Sequence, residues 1–151
     1  MIILMADSAS PQNVPGTFTA VAVYINGLYA WPQAKIDRFP RILRISVLSD
    51  PSHAAAARVL DVERCDASPG RADFIRERQR LGHHDATIYC GESVVPAVQS
   101  ACAGLSYRLW VASWTGHPHE IDNAWAVQYS GGVNLQYDTS IVYGREDFSR
   151  P

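Results

Sequence analysis

Short runs of apolar residues recur along the whole chain, separated by polar segments that contain glycine, proline, serine or asparagine. This pattern is typical of short buried strands joined by loops. It predicts eight strands, over residues 2–6, 20–25, 42–48, 59–63, 86–90, 108–113, 124–129 and 137–142. Four further segments predict helical structure: 32–38, the alanine run 54–57, 69–81 and 94–103.

The best helical pattern lies between residues 69 and 81. Phe74, Ile75 and Leu81 fall on one face of this segment. Gly82 stands where a helix ends in a left-handed residue, and Ser68 is suited to cap its beginning. We expect the arginines at positions 71, 76, 78 and 80 to lie on the solvated face of this helix.

The last three predicted strands are joined by loops of roughly seven to ten residues. Parallel strands usually need a connection of roughly a dozen residues or more, so we expect few helices and some antiparallel pairing here. The pattern predicts an α/β fold, a small irregular TIM-like β/α barrel of eight strands with reduced helices, in a single domain over residues 1–151. A complete (β/α)₈ barrel takes roughly 250 residues. A small open doubly wound sheet is the alternative.

The composition adds limits on function. Of the 151 residues, 47 % are apolar and 19 % are charged, as in an ordinary globular domain rather than a disordered chain. The net charge is −2 and no basic stripe is present, which argues against a nucleic-acid partner. The three cysteines have no metal-ligand spacing and predict reduced, mostly buried thiols. We expect no cofactor.

The beginning of the chain gives no targeting signal. The apolar run over residues 1–6 is too short for the core of a signal peptide and has no basic segment before it. No apolar run approaches the length of a membrane span, so we expect no membrane partner. We therefore expect a protein that is made in the cytoplasm without a signal peptide of its own.

Two carboxylates end the fourth predicted strand, in the run Val59-Leu60-Asp61-Val62-Glu63. Because side chains alternate faces along a strand, Asp61 and Glu63 point to the same side. In α/β proteins the active site usually lies at the carboxyl ends of parallel strands that lead into helices, and the two carboxylates stand at such an end. The alternative is a pair of solvated edge residues or salt-bridge partners, which is what most isolated Asp-x-Glu sequences are.

The order of residues at the strand ends resembles the glycoside hydrolase family 25 muramidases, and also the glycoside-hydrolase-like domains of actinobacteria and their phages. The resemblance is best from Val59 to about Tyr143. The matching segments are Asp7 after the first strand, Asp61-Val62-Glu63 after the fourth, and Ile88-Tyr89, Leu109-Trp110-Val111-Ala112, Val127-Gln128-Tyr129 and Tyr137-Asp138 on the later strands. The second and third strands offer no match. The family barrel has five strand–helix units followed by three strands with little helix.

The resemblance implies roles for particular residues. Glu63 would be the general acid for the leaving sugar oxygen, and Asp61 would orient the acetamido group or stabilise positive charge. Asp7 and Asp138 would complete an acidic floor. Four residues would line the sugar site: Tyr89, Trp110, Trp114 and Gln128. Glycosidic cleavage needs one protonated acid and a second group that stabilises an oxocarbenium-like centre, and neighbouring carboxylates raise each other's proton affinity. A tryptophan on a strand is more often core packing than a sugar-stacking surface.

Two other kinds of site find less support. His117-Pro118-His119 with Glu120 or Asp122, or the pair His83-His84, would offer metal ligands, but no third ligand is fixed by spacing. We therefore predict no metal site. A reactive thiolate at Cys65 would be disfavoured, because Cys65 shares strand parity with the two carboxylates of the fourth strand.

Two functions from different classes follow. The first is a muramidase-like glycoside hydrolase that cleaves the β-1,4 bond between N-acetylmuramic acid and N-acetylglucosamine in peptidoglycan. The second is a catalytically inactive barrel of the same type, which binds N-acetylated glycans or serves as a structural module beside other phage virion proteins.

Overall fold

The protein is described by a computed structural model that covers residues 2–47, 51–63, 70–132 and 135–143. Eight strands form one closed barrel in the order of the sequence. They are β1 (Ile2–Asp7), β2 (Ala20–Tyr24), β3 (Ile42–Ser46), β4 (Val59–Asp61), β5 (Thr87–Gly91), β6 (Arg108–Ala112), β7 (Ala124–Ser130) and β8 (Asp138–Tyr143). The predicted irregular α/β barrel is confirmed, and the open doubly wound sheet is not the fold.

One strand runs against the other seven. β1 to β7 pair in parallel with their sequence neighbours, whereas β8 is antiparallel to both β7 and β1. The expectation of antiparallel pairing in the last third of the chain is therefore confirmed. As a consequence, the first residue of β8 lies at the end of the barrel where the other strands finish.

Within the described residues, the helices are few and short. They are α1 (Gln33–Ile36), α2 (Arg71–Arg80) and α3 (Val95–Ala101), with 3₁₀ turns at Pro11–Asn13, Pro51–His53 and Glu92–Val94. The predicted cap Ser68 lies outside the described residues. In the described part of the chain, none of the helices has the length and apolar character needed to cross a lipid bilayer.

Arg78 of α2 corrects the expectation that all four arginines of this helix are solvated. It is fully buried, and its guanidinium donates to the carbonyl oxygens of Ala54 and Ala57 at 2.7 and 2.6 Å. It also forms an ion pair with Asp85 at 2.7 Å. These hydrogen bonds are stabilising, because the two carbonyl oxygens would otherwise be buried without a hydrogen-bond donor. The residue therefore anchors α2 to the segment before β4.

Small residues on β2 and β7 make room inside the barrel for large rings on β5 and β6. Ala20, Ala22 and Ala126 are buried in the same cluster as Tyr89 and Trp110. The centroids of the Tyr89 and Trp110 rings lie 4.7 Å apart in an edge-to-face arrangement, which aromatic pairs favour. The interior of the barrel is thus filled by side chains, as expected for eight strands, and its carboxyl end forms a floor rather than the mouth of a pore.

The amino end of the barrel is closed by aromatic and cationic groups. The guanidinium groups of Arg58 and Arg108 lie 5.5 and 5.7 Å from the ring centroid of Trp125. Arg58 is buried and also pairs with Asp85 at 3.2 Å. Cation–π contacts of this kind are favourable when the cation is partly desolvated.

Candidate active site

A polar cleft of about 680 Å³ opens at the carboxyl end of β1 to β7. This volume is within the usual range for sites that bind small ligands. The cleft is lined by Asp7, Ser8, Ala9, Ser10, Asn13, Tyr24, Tyr29, Glu63, Tyr89, Trp114, Gly131, Gly132, Leu135, Gln136, Tyr137 and Asp138. Three of the four predicted acids therefore reach one cleft.

Asp7 is the last residue of β1 and is only 4 % exposed. Its two carboxyl oxygens accept hydrogen bonds from Nε2 of Gln128 at 3.3 and 3.1 Å. Burial raises the pKa of Asp7 to about 7, and the negative charges of Asp138 and Glu63 act in the same direction, while the bond from Gln128 acts against them. Near neutral pH this carboxyl therefore exists in both the protonated and the ionised form.

Asp138 opens β8 and is the register partner of Asp7 across the antiparallel pair. Its Oδ1 accepts a hydrogen bond from the backbone N–H of Gly132 at 3.1 Å. Burial raises the pKa of Asp138, and the Gly132 bond partly offsets this effect. The neighbouring glycine, Gly131, lies so close that a Cβ added to it would stand 2.7 Å from Asp138 Oδ1 and 2.9 Å from Trp114 Nε1.

The two acids of the Asp-x-Glu sequence occupy different environments. β4 ends at Asp61, so the strand is shorter than predicted, yet the alternation of faces continues beyond it. Asp61 is 2 % exposed and accepts a hydrogen bond at Oδ2 from the Tyr24 hydroxyl at 3.3 Å, beneath the residues that line the cleft. Val62 is buried in the outer core, and Glu63 is exposed in the cleft.

Gln128 lies under the cleft rather than on its surface. It is 1 % exposed, and its Oε1 accepts hydrogen bonds from the Tyr89 hydroxyl at 3.0 Å and from the Trp114 indole N–H at 2.7 Å. Burial raises the pKa of Tyr89, and the carboxylates around it act in the same direction. The Tyr89 hydroxyl therefore keeps its proton and acts as a donor to Gln128.

The two candidate tryptophans have opposite surroundings. Trp114 is 57 % exposed and lines the cleft, so a face of its indole is open to a ligand. Trp110 is 1 % exposed and is enclosed by the barrel, where its Nε1 donates to Ser140 Oγ at 3.0 Å. Contrary to the prediction, Trp110 therefore does not line the cleft but packs against Tyr89 inside the barrel.

The lining residues that were not anticipated include Tyr24, Tyr29 and Ser8. The rings of Tyr24 and Tyr29 lie 6.2 Å apart at one wall of the cleft. The sequence holds a signal for Tyr24, because it shares strand parity with the buried Ala20 and Ala22. Tyr29 and Ser8 lie in loops, where the periodicity of side chains gives no guide.

The histidines of the β6–β7 loop lie away from this cleft. His119 Nδ1 is 3.0 Å from Thr115 Oγ1 and 3.0 Å from the carbonyl oxygen of His117. Within residues 2–47, 51–63, 70–132 and 135–143, no group of three or more acidic, histidine or cysteine side chains is arranged to hold a metal ion. The chemistry of the described cleft is that of carboxyl groups, hydroxyl groups and aromatic rings.

The comparisons with known proteins show a similarity of fold. No protein-family model and no curated protein matches the sequence. Among solved structures, the chain is similar to the Tat-secreted protein Rv2525c of Mycobacterium tuberculosis, which was crystallised in complex with HEPES. The TM-score is 0.53 at 11 % sequence identity, over 94 % of this chain and 95 % of that chain.

Proposed function

We propose that the protein is a peptidoglycan-directed glycoside hydrolase, which cleaves the β-1,4 bond between N-acetylmuramic acid and N-acetylglucosamine. The observation that supports this most is the convergence of three carboxyl groups in different environments on one cleft with an exposed indole. Asp7 and Asp138 are partly or fully buried and have raised pKa values, whereas Glu63 is exposed. Pairs of acids with different environments are the usual means of running acid catalysis and charge stabilisation in one site.

Glu63 is the general acid in this proposal. Its exposed side chain faces the cleft, so a carboxyl proton has a direct path to the leaving sugar oxygen. Asp61 lies below it and is held by the Tyr24 hydroxyl, which suits a fixed negative charge beneath a developing oxocarbenium centre. The raised pKa of Asp7 allows this residue to donate a hydrogen bond to the sugar in mildly acidic conditions.

The walls of the cleft suit a sugar. Trp114 presents an apolar face on which the CH surface of a pyranose ring can stack, and Tyr29 offers a second exposed ring on another wall. Ser8, Ser10 and Asn13 supply short polar groups that can bond to sugar hydroxyls or an acetamido group.

The direct test is the release of new reducing ends from purified peptidoglycan. Reduction of the products with borohydride before acid hydrolysis identifies which sugar carries the new end, and N-acetylmuramic acid is the expected one. Absence of reducing ends across the pH range, with protein shown to be folded, overturns the proposal. We propose that the protein acts at the cell wall, either as a phage-encoded lysin or as a component of a phage virion.

The burial of Asp61 favours a second candidate function. Only one acid of the Asp-x-Glu pair lines the cleft, so the site is also suited to holding a glycan without cleaving it. The protein would then be a glycan-binding or structural module that assembles with other phage virion proteins. Titration calorimetry with chitooligosaccharides, combined with the reducing-end assay, separates the two functions, because binding without turnover supports the module and turnover excludes it.

A further inference from the structure

Gln128 is buried below the cleft but is hydrogen-bonded to three residues that line it. Its Nε2 donates to both oxygens of Asp7, and its Oε1 accepts from the Trp114 indole. The Tyr89 hydroxyl donates to the same oxygen. The bonds to Asp7 and Tyr89 are buried and the bond to Trp114 is partly buried. Hydrogen bonds away from water are strong, and a network of them has a well-defined geometry.

The chemistry of the partners fixes the direction in which the Gln128 amide faces. An indole N–H only donates, so the atom that meets Trp114 at 2.7 Å is the carbonyl oxygen. The amide nitrogen then faces Asp7, whose carboxyl oxygens accept. A reversed amide would set N–H against N–H at Trp114 and oxygen against oxygen at Asp7. The link between the two cleft groups therefore has one orientation.

Trp114 needs such an anchor, because it lies beyond the end of β6 and more than half of its surface is exposed. An exposed side chain in a loop loses conformational entropy when it is held in one rotamer, and a hydrogen bond can offset this cost. The bond to Gln128 provides this restraint at the indole nitrogen, and Gly131 leaves the space in which the same nitrogen sits.

We propose that Gln128 is a positioning residue, which holds the Trp114 indole and the Asp7 carboxyl in a fixed relation so that a stacked sugar lies over the acidic floor. The inference deepens the proposed function and rests on it for the identity of the ligand. The restraint itself is a property of the ligand-free protein, and it is tested there.

Two substitutions separate the two halves of this link. Gln128→Glu keeps an acceptor for Trp114 and Tyr89 but replaces the amide donor to Asp7 with a carboxyl group. Gln128→Met keeps the length of the side chain and removes both the acceptor and the donor. Tyr89→Phe is the matched control, since it removes one bond to the same oxygen and leaves the other two partners in place.

The titratable groups that face Asp7 are Asp138 on β8, Glu63 beyond β4, and the hydroxyls of Tyr24 on β2 and Tyr89 on β5. Gln128→Met leaves these groups in place, whereas Gln128→Glu adds a carboxyl group beside Asp7, so the methionine variant alone isolates the loss of the Gln128 bond. Because the bond from Gln128 lowers the pKa of Asp7, its loss raises that pKa above the value of about 7 in the unaltered protein.

The test is nuclear magnetic resonance of the full chain without ligand. Hydrogen exchange of the four indole N–H groups is measured, together with the titration of the Asp7 carboxyl carbon. We expect the exposed Trp114 to have a protected N–H in the unaltered protein and in Gln128→Glu. In Gln128→Met we expect its exchange to be faster by roughly tenfold or more, the factor that about one hydrogen bond provides. The Asp7 midpoint should rise in Gln128→Met and stay unchanged in Tyr89→Phe.

Unprotected Trp114 N–H in the unaltered protein overturns the inference, and that result requires no variant to fold. Equal exchange at Trp114 in Gln128→Met and the unaltered protein overturns it as well. If Gln128 only fills space, the exchange rate of the Trp114 indole N–H should change no more than the rates of the buried tryptophans. Chitooligosaccharide affinity is then compared, and we expect a larger loss in Gln128→Met than in Gln128→Glu. If the unaltered protein binds no glycan, the proposed function fails while the exchange data still decide the role of Gln128.

Discussion

Asp7 and Asp138 are direct partners across the β1–β8 pair, and both carboxyl groups line the same cleft. The pairing depends on the reversed direction of β8, because only an antiparallel last strand brings its first residue to the carboxyl end of β1. Like charges at paired positions repel each other, and this repulsion adds to burial in raising the pKa of Asp7. The topology of the last strand thus contributes directly to the electrostatics of the site.

The raised pKa of Asp7 predicts a pH dependence of stability. Between pH 4 and about 7 the folded protein retains a proton on Asp7 that the unfolded chain, with its ordinary pKa of 3.8, has lost. The free energy of unfolding should therefore decrease over this interval by roughly 4 kcal/mol at most, since each pKa unit corresponds to about 1.4 kcal/mol. Urea denaturation at a series of pH values measures the slope.

Asp7→Asn should flatten that slope, leaving the smaller contribution of Asp138, whose pKa is also raised. Asp122→Asn is the control, because Asp122 is exposed in the β6–β7 loop and lies outside the cleft. A slope in Asp7→Asn as steep as that of the control would show that Asp7 keeps an ordinary pKa in the folded protein.

The two tryptophans predict opposite phenotypes on truncation. Trp110→Ala should lower the free energy of unfolding by about 3–5 kcal/mol, because it empties a large volume in the barrel and removes the bond to Ser140. Trp114→Ala should leave stability nearly unchanged and weaken glycan binding by roughly tenfold or more, as the loss of an aromatic anchor does. Thermal unfolding and calorimetric titration of both variants measure the contrast, and it fails if Trp114→Ala binds glycan as tightly as the unaltered protein.

Gly131 is predicted to be essential for the shape of the cleft. The methyl group of Gly131→Ala would displace the side chains of Asp138 and Trp114, since it would lie within 3 Å of both. We expect glycan affinity to fall by about tenfold, given that overpacking of a filled site costs about 1–3 kcal/mol. Gly16→Ala is the matched control, because no atom lies within 4 Å of the added carbon. Equal losses of affinity in the two variants would contradict the predicted role of Gly131.

The barrel was predictable from the sequence because strand periodicity and loop length are local properties. Short loops after residue 113 indicated antiparallel pairing, and the reversed β8 confirms it. The burial of Arg78 was not predictable, because it depends on carbonyl groups of residues 54 and 57, which reach the helix only through tertiary packing.

The site was predictable in part. Parity along β4 correctly placed Val62 in the outer core and Glu63 in the cleft. Parity alone did not reveal how deep a residue lies along the barrel axis, so Trp110 and Trp114 received the same role although one is enclosed and the other exposed. Depth depends on strand stagger around the closed barrel, and the sequence of a single strand does not contain that information.

The central claim is that Glu63 delivers the proton that breaks a glycosidic bond. The most direct measurement is the rate of reducing-end release from peptidoglycan by the unaltered protein, Glu63→Gln and the control Glu120→Gln, whose exposed acid lies outside the cleft. The amide of Glu63→Gln is close in shape to the acid but has no proton to donate, so we expect the rate to fall by roughly 10²–10⁴-fold with the fold intact. Equal rates in Glu63→Gln and Glu120→Gln would contradict the account.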